Sequence, residues 1–348
     1  MTVGARAVTM GRNNGMTANE RLVATQTHSP SGYSEPAPGA RIRTGFIVGP
    51  TGAGKTALAL EVAERLGAEI VNADSRQFYR AMDLGTAKPT PAERARVPHH
   101  LIDVRAPDAP LDVAGFVAAA RVAIEEIAAR GRRVLVVGGS GLYLRALRGG
   151  IFRGPAASAE IRARLSHEAA EHGLEHLHGR LGEVDPAAAA RIGHGDLYRI
   201  MRALEVFELT GEPISAHQAR HAFSAREYES LTVGISPERA KLYRAIDSRF
   251  DAMLAAGLVA EVRALLAAGY APERPPLATI GYRQIARHLG GELTLADAVA
   301  LAKRDSRRLA KRQLTWFRAD PELRWLDPAR PTEHALELFA EFFAREES

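Results

Sequence analysis

The 348 residues predict an α/β fold: a parallel sheet flanked by helices, with an all-helical insertion. Three observations support this. A short apolar run leads into a glycine-rich turn and then an amphipathic helical pattern. Two further runs read as strands, the second of them apolar enough to be covered on both faces. Between the last of these and the next strand lies a long stretch of Ala, Arg, Glu and His with no strand pattern.

The first run is Gly45-Phe46-Ile47-Val48, and the helical pattern that follows its turn spans Ala57 to Leu66. Strand, loop and helix in that order open a parallel α/β sheet. A second strand is expected at Glu69-Ile70-Val71-Asn72 and a third at Arg133-Val134-Leu135-Val136-Val137. Between them, Asp112 to Ala129 repeats Ala, Val and Ile at helical spacing and stops near Gly131. From about Arg153 to Ala225 the pattern is helical throughout. A strand returns at Leu231 to Ile235, and Ser236-Pro237-Glu238 supplies an N-cap and a Pro at the first helical position for a helix to about Ala256. Helices at about 258–268, 282–289 and 295–317 complete the core. The expected layout is an arm over 1–44, the first part of the core over 45–152, the insertion over 153–225, the second part of the core with a basic helix over 226–327, and a helical tail over 328–348.

Hydrophobic residues at 46% and charged residues at 25% exclude wholesale disorder. Charges interrupt every apolar stretch well short of the roughly 18 residues a membrane span needs, so a soluble protein is expected. There is no cysteine, which excludes disulfides, thiolate catalysis and Cys-based metal sites and permits a reducing cytoplasm. Residues 1–44 hold few large apolar side chains and read as a flexible arm. They lack the continuous apolar segment of a secretory signal. Their arginines leave a transit peptide open, and Met10 and Met16 leave room for a later start.

Gly49-Pro50-Thr51-Gly52-Ala53-Gly54-Lys55-Thr56 matches the phosphate-binding pattern G-x-x-x-x-G-K-[ST]. Glycines let backbone amides converge on phosphate oxygens, Lys55 reaches the terminal phosphates, and Thr56 can ligate Mg²⁺. The core is therefore P-loop NTPase-like. An NTPase of the usual kind would end its next apolar strand with an Asp for the metal; here the strand ends in Gly138-Gly139-Ser140-Gly141. The site thus offers a diphosphate anchor with the Ser140 hydroxyl at a strand's carboxyl end, where ligands of open sheets bind. Asp74 follows the second strand and should face the same crevice, as a general base, a metal holder or a helix cap; spacing leaves these open. Gln77 reads either as a surface residue or as a partner for an adenine edge.

Taken in order, the P-loop, Asp74-Ser75-Arg76-Gln77-x-Tyr79, Met82-Asp83-x-Gly85-Thr86-Ala87-Lys88-Pro89 and Gly138-Gly139-Ser140-Gly141-Leu142-Tyr143 resemble the tRNA dimethylallyltransferases, also called tRNA isopentenyltransferases. The likeness continues through Arg199-Ile200-Met201-Arg202-Ala203-Leu204-Glu205, Arg249-Phe250, Gly281-Tyr282-Arg283 and Lys311-Arg312-Gln313-x-Thr315-Trp316, covering about residues 45–327. It implies transfer of a dimethylallyl group from dimethylallyl diphosphate to N6 of adenosine 37, beside the anticodon, with Mg²⁺ at Thr56. By the same resemblance Asp74 is the general base, Ser140 bonds the bridging oxygen or the amine, and Arg249 joins Lys55 on the departing diphosphate. The implied tRNA contacts are Asp74, Ser75, Arg76, Gln77, Gly141, Arg199, Ile200, Met201, Arg202, Ala203, Gly281, Tyr282, Arg283, Arg308, Lys311 and Arg312. Two positions depart from the family pattern: Ser140 stands where Thr is usual, and Leu277-Ala278-Thr279-Ile280 is less polar than expected.

Residues 303–318 carry seven basic side chains and one acidic, a net +6 against +5 for the whole chain, so the positive charge is local. On a helix Arg304, Arg308 and Arg312 form one row and Lys303, Arg307 and Lys311 the next, which suits either an RNA backbone or a solvated surface. The alternative for Arg199 and Arg202 is an ion-paired face with Asp196 and Glu205. His172, His176 and His178 imitate metal spacing, but Glu171 and Glu175 beside them suggest a solvated face. A cytoplasmic monomer acting on a flipped-out base is expected. The rival readings are an adenylate isopentenyltransferase using a free nucleotide, a small-molecule P-loop kinase, and an RNA-binding protein with a relic P-loop.

Overall fold

The computed structural model describes residues 41–150, 154–221 and 227–344. The expectations for the arm before residue 41 lie outside them. Contacts divide the chain into two compact units: residues up to Gly141 together with those from Ser230 onward, and Leu142–Glu229.

In the first unit, β1 (Arg43–Val48) leads through the P-loop into α1 (Lys55–Leu66), and β2 (Ala68–Asn72) follows. Next come α2 (Pro91–Arg96), β3 (His99–His100), α3 (Val113–Ala129), β4 (Arg133–Gly138) and α4 (Gly141–Gly149), whose first residue closes this part of the unit. The second unit goes on through α5 (Ala159–His172), α6 (Leu174–Val184), α7 (Pro186–Ala189), α8 (Leu197–Thr210) and α9 (Ile214–His221). The chain returns to the first unit with β5 (Glu229–Gly234), α10 (Arg239–Ala255), α11 (Leu258–Ala267), α12 (Tyr282–Leu289), α13 (Leu295–Arg318), β6 (Arg324–Trp325) and α14 (Pro331–Ala344).

The sheet order is β3-β2-β4-β1-β5-β6, with β1 and β4, β2 and β4, β2 and β3, and β5 and β6 parallel. Phe46, Ile47, Ile70, Val71, Leu135 and Val136 are almost fully buried, as expected of strands covered on both faces. Leu58 and Val62 of α1 pack in one cluster with Phe339 and Phe342 of α14, so the tail's apolar face is part of the main core. The order reverses about β1 and β4, whose carboxyl ends carry the P-loop and the Gly138–Ser140 loop. A switch of this kind opens a crevice above the strand ends.

Two local expectations need correction. The helix after β5 starts at Arg239, with Glu238 rather than Ser236 at its N-cap and no side-chain cap bond. Glu238 is extended (φ −52°, ψ 139°), so Pro237 ends an extended approach instead of starting the helix. β3 and β6, two residues each, were not anticipated.

Candidate active site

The P-loop turns between β1 and α1 with Gly54, the N-cap of α1, at φ 88°, a left-handed conformation that costs other residues more. Lys55 Nζ donates to the Pro50 carbonyl at 2.8 Å, folding the lysine back over the loop. A pocket of about 420 Å³ opens in front of it, lined among others by Lys55, Thr56, Asp74, Gln77, Arg249 and Gln313. Burial draws the Lys55 pKa down to about 8; Asp74 opposes that fall and Arg249 adds to it. Burial likewise lowers the Arg249 guanidinium below its ordinary range, again opposed by Asp74. Two half-buried cations and one carboxylate sharing a pocket leave an uncompensated positive field, which an anionic ligand would relieve. Arg249 Nη1 lies 3.4 Å from Thr51 Oγ1, bringing α10 onto the P-loop.

Asp74 does not cap a helix. Its Oδ1 accepts the Arg76 N–H at 3.0 Å in a turn, its own N–H donates to Asn72 Oδ1, and the residue still lines the pocket. Across the strand ends, Ser140 Oγ accepts the Ser75 N–H at 3.1 Å. With a lone pair used in that bond, the hydroxyl keeps its proton to donate. Ser140 and Arg76 adjoin the pocket without lining it.

Gln77 is neither a surface residue nor a free amide. It is 9% exposed, and its Nε2 donates to the carbonyls of Thr86 at 3.2 Å and Ala87 at 3.0 Å, committing both amide hydrogens to the neighbouring loop. That loop, 83–88, is held from two more directions. Lys88 is buried and places all three ammonium hydrogens on Tyr79 O, Asp83 Oδ1 and Asp103 Oδ1. Glu261 on α11 accepts the backbone N–H groups of Asp83, Leu84 and Gly85 and the Tyr282 hydroxyl. Burial and Glu261 together push the Tyr282 hydroxyl well above its ordinary pKa. Tyr282, expected among the RNA contacts, is fully buried and supports the loop from beneath, while Arg283 is half exposed with Asp305 at 3.4 Å. Glu261 was not singled out from sequence, since an isolated polar residue on a helix reads as surface; Lys88 and Gln313 stood in the motifs of the resemblance without a role of their own.

The basic helix α13 is not uniform. Lys303 pairs with Asp251 and Arg307 with Asp247, both on α10, so these two serve helix packing. Exposed surface pairs of this kind are worth about 0.2–1 kcal/mol each. Arg304 bonds Asp305 and Arg308 lies 3.9 Å from it, whereas Lys311 and Arg312 are exposed. The cationic surface therefore centres on Arg308, Lys311 and Arg312.

In the second unit, Ile200 and Ala203 are buried in its core, so their side chains support α8; Met201 packs against the same core. Glu205, fully buried, accepts from Ser158 N, Arg162 and Arg202, and Arg202 also donates to Pro155 O. Arg199 is 69% exposed, with Asp196 at 3.4 Å. His176 bonds Glu168, and His178 Nε2 contacts the carbonyls of Ala189 and Ile192, so these rings have protein partners.

Comparison with known proteins follows the same outline. A tRNA dimethylallyltransferase of Syntrophobacter fumaroxidans is 53% identical over 284 residues, 82% of this chain and 83% of that protein. One of Geobacter metallireducens is 51% identical over 82% of this chain and 93% of its own. The crystal structure of a tRNA isopentenylpyrophosphate transferase from Bacillus halodurans superposes with a TM-score of 0.64 at 37% identity, covering 86% of this chain and 96% of that one. A eukaryotic dimethylallyltransferase solved acting on tRNA shares the fold, with a TM-score of 0.76 at 23% identity over 88% of this chain and 80% of that one. The sequence model of the IPP transferases matches residues 77–320, from the Asp74 turn to the end of the basic helix, and with these relatives it shows that the chain belongs to the IPP transferase family.

Proposed function

We propose that the protein transfers a dimethylallyl group from dimethylallyl diphosphate to N6 of adenosine 37 in tRNA. The observation that carries this reading is the meeting of Lys55, Arg249 and Asp74 in one pocket, two cations for a leaving diphosphate beside one carboxylate for a proton. An adenine amine is a weak nucleophile, but an allylic carbon gains cationic character as its C–O bond breaks. Catalysis then needs the leaving anion stabilised in place and the amine proton removed. The P-loop amides, Lys55 and Arg249 serve the first need. Asp74 takes the proton as the N–C bond forms, and Ser140, oriented by the Ser75 N–H, donates to the bridging oxygen or holds the amine.

The donor set fits Mg²⁺: the Thr56 hydroxyl, which lines the pocket, is a hard oxygen ligand, and the ion commonly completes its shell with substrate phosphates and water. No trio of His, Cys, Asp or Glu able to hold a metal by itself occurs among the described residues. Thr56 would hold the ion, which when bound neutralises charge on the diphosphate. Every group named comes from one chain, so a monomer suffices. No described helix is long and apolar enough to cross a membrane.

On this reading Arg308, Lys311 and Arg312 grip the RNA backbone. Replacing each by Ala should weaken RNA binding and lower the slope of log affinity against log salt by about 0.7–0.9 for every phosphate no longer neutralised. Lys303→Ala and Arg307→Ala should leave that slope unchanged and lower thermal stability instead, since their partners are Asp251 and Asp247. Equal slopes for the two sets would remove the distinction. The function itself is tested by offering labelled dimethylallyl diphosphate with anticodon stem-loop RNA or with AMP. Label in RNA supports it, and label in AMP alone favours the adenylate isopentenyltransferase reading.

A further inference from the structure

We propose that Gln313 is a positioning residue that sets the separation between the diphosphate cradle and the acceptor side of the pocket; this deepens the function proposed above and rests on it. Gln313 sits half-buried on α13. Its Oε1 accepts the Thr51 N–H at 2.9 Å and its Nε2 donates to the Gly139 carbonyl at 2.9 Å. One partner is a donor and the other an acceptor, so the amide has a single orientation that satisfies both.

Thr51 belongs to the P-loop, and Gly139 precedes Ser140. A single amide therefore spans from the P-loop to the loop that carries the Ser140 hydroxyl. The fit is close: a Cβ on Gly139 would lie 2.6 Å from Gln313 Nε2 and 3.3 Å from Gly49 O. One turn further along α13, the Trp316 indole lies over Gly141, where a Cβ would come within 2.3 Å of the ring. The helix thus leans on the 139–141 loop at two successive points.

α13 is itself fixed against α10 by the Lys303–Asp251 and Arg307–Asp247 pairs and by the packing of Ala310 on Leu242 and Ile246. α10 also carries Arg249, whose guanidinium approaches Thr51 Oγ1. Thr51 is consequently gripped twice, through its amide by α13 and through its hydroxyl by α10. Its N–H is spent on Gln313, so phosphate falls to the amides further along the loop, and Gln313 contributes geometry without charge. Displacement at carbon needs the attacking nitrogen, the carbon and the departing oxygen aligned, and a misplacement of about 1 Å can cost on the order of 10²-fold in rate.

The test uses Gln313→Met, which removes both bonds while keeping length, and Gln313→Glu, which keeps the shape but sets a carboxylate against the Gly139 carbonyl. Both are made in the full-length chain. The measurements are kcat and the two KM values for prenyl transfer to anticodon stem-loop RNA, with RNA affinity read separately as a report on the fold of α13. The expected result is a fall in kcat of about 10–100-fold in both variants, with RNA affinity within about two-fold of the parent. If Gln313→Met fails to fold, the isosteric Gln313→Glu carries the comparison. Unchanged kcat would overturn the proposal, and so would a loss confined to the KM for RNA, which would make Gln313 an RNA contact. A parent protein that labels no RNA would instead sink the proposed function and leave the two hydrogen bonds a feature of the fold.

Discussion

Asp74→Asn lowers kcat for prenyl transfer by about 10²–10⁴-fold, the usual contribution of a positioned general base, while RNA and pyrophosphate still bind. The amide keeps the size of the carboxylate and can still accept the Arg76 N–H, so the turn at 74–77 survives. What it loses is a site for the amine proton and the negative charge facing Lys55 and Arg249. Removing that charge takes away an anion that competes with the ligand but also part of what keeps Lys55 protonated, so pyrophosphate is compared well below pH 8, where it should bind the variant at least as tightly as the parent. Lower kcat with undiminished product-anion affinity is a combination that general damage to the pocket would not give. Near-normal turnover would refute the assignment of Asp74 as base.

Lys55→Met acts on the other half of the reaction. Removing one preorganised donor to a developing anion costs about 10²–10³-fold in rate, and here the donor diphosphate should also lose affinity because the same ammonium holds it in the ground state. Lys55 gives this loss a pH signature. In the free protein its pKa lies near 8, so the ammonium is present below that pH and is lost as pH rises through it. Donor affinity should therefore be full below about pH 8 and decline above it. Lys55→Arg, whose guanidinium does not titrate in this range, should remove the decline even if it lowers the plateau. Titrating the donor KM from neutral to alkaline pH distinguishes the two, and identical profiles would exclude Lys55 as the titrating group.

How legible the site was depends on where each residue's partners lie. The P-loop announces itself because its chemistry needs glycines, a lysine and a hydroxyl at fixed spacing along one stretch of chain. Asp74 and Ser140 are visible because strand ends are where a parallel sheet presents ligand-binding groups. Glu261 was not, since its partners are far away in sequence and no local pattern separates such a residue from a solvated one; Gln313 was visible only as a member of a motif, with nothing local to say that it bridges Thr51 and Gly139. The surface reading of Gln77 fails for the same reason: the carbonyls that bury it belong to a loop whose path the sequence did not give away. On α13, helical period placed the two basic rows correctly relative to each other but said nothing of Asp247 and Asp251 on another helix, which neutralise Lys303 and Arg307. In the fold, the four longer strands were legible from apolar runs, whereas His99–His100 and Arg324–Trp325 are too short to alternate. The capping box of α2, Thr90 with Glu93, was present as a signal and only the structure drew attention to it.

The central claim is that this pocket prenylates an adenosine amine in RNA, and product analysis tests it most directly. An unmodified tRNA transcript with adenosine at position 37 is incubated with the protein, Mg²⁺ and dimethylallyl diphosphate, then digested to nucleosides and analysed by mass. The expected product is N6-(dimethylallyl)adenosine from that transcript and none when position 37 is guanosine or the protein carries Asp74→Asn. Unmodified adenosine throughout, together with prenylation of free AMP, would contradict it.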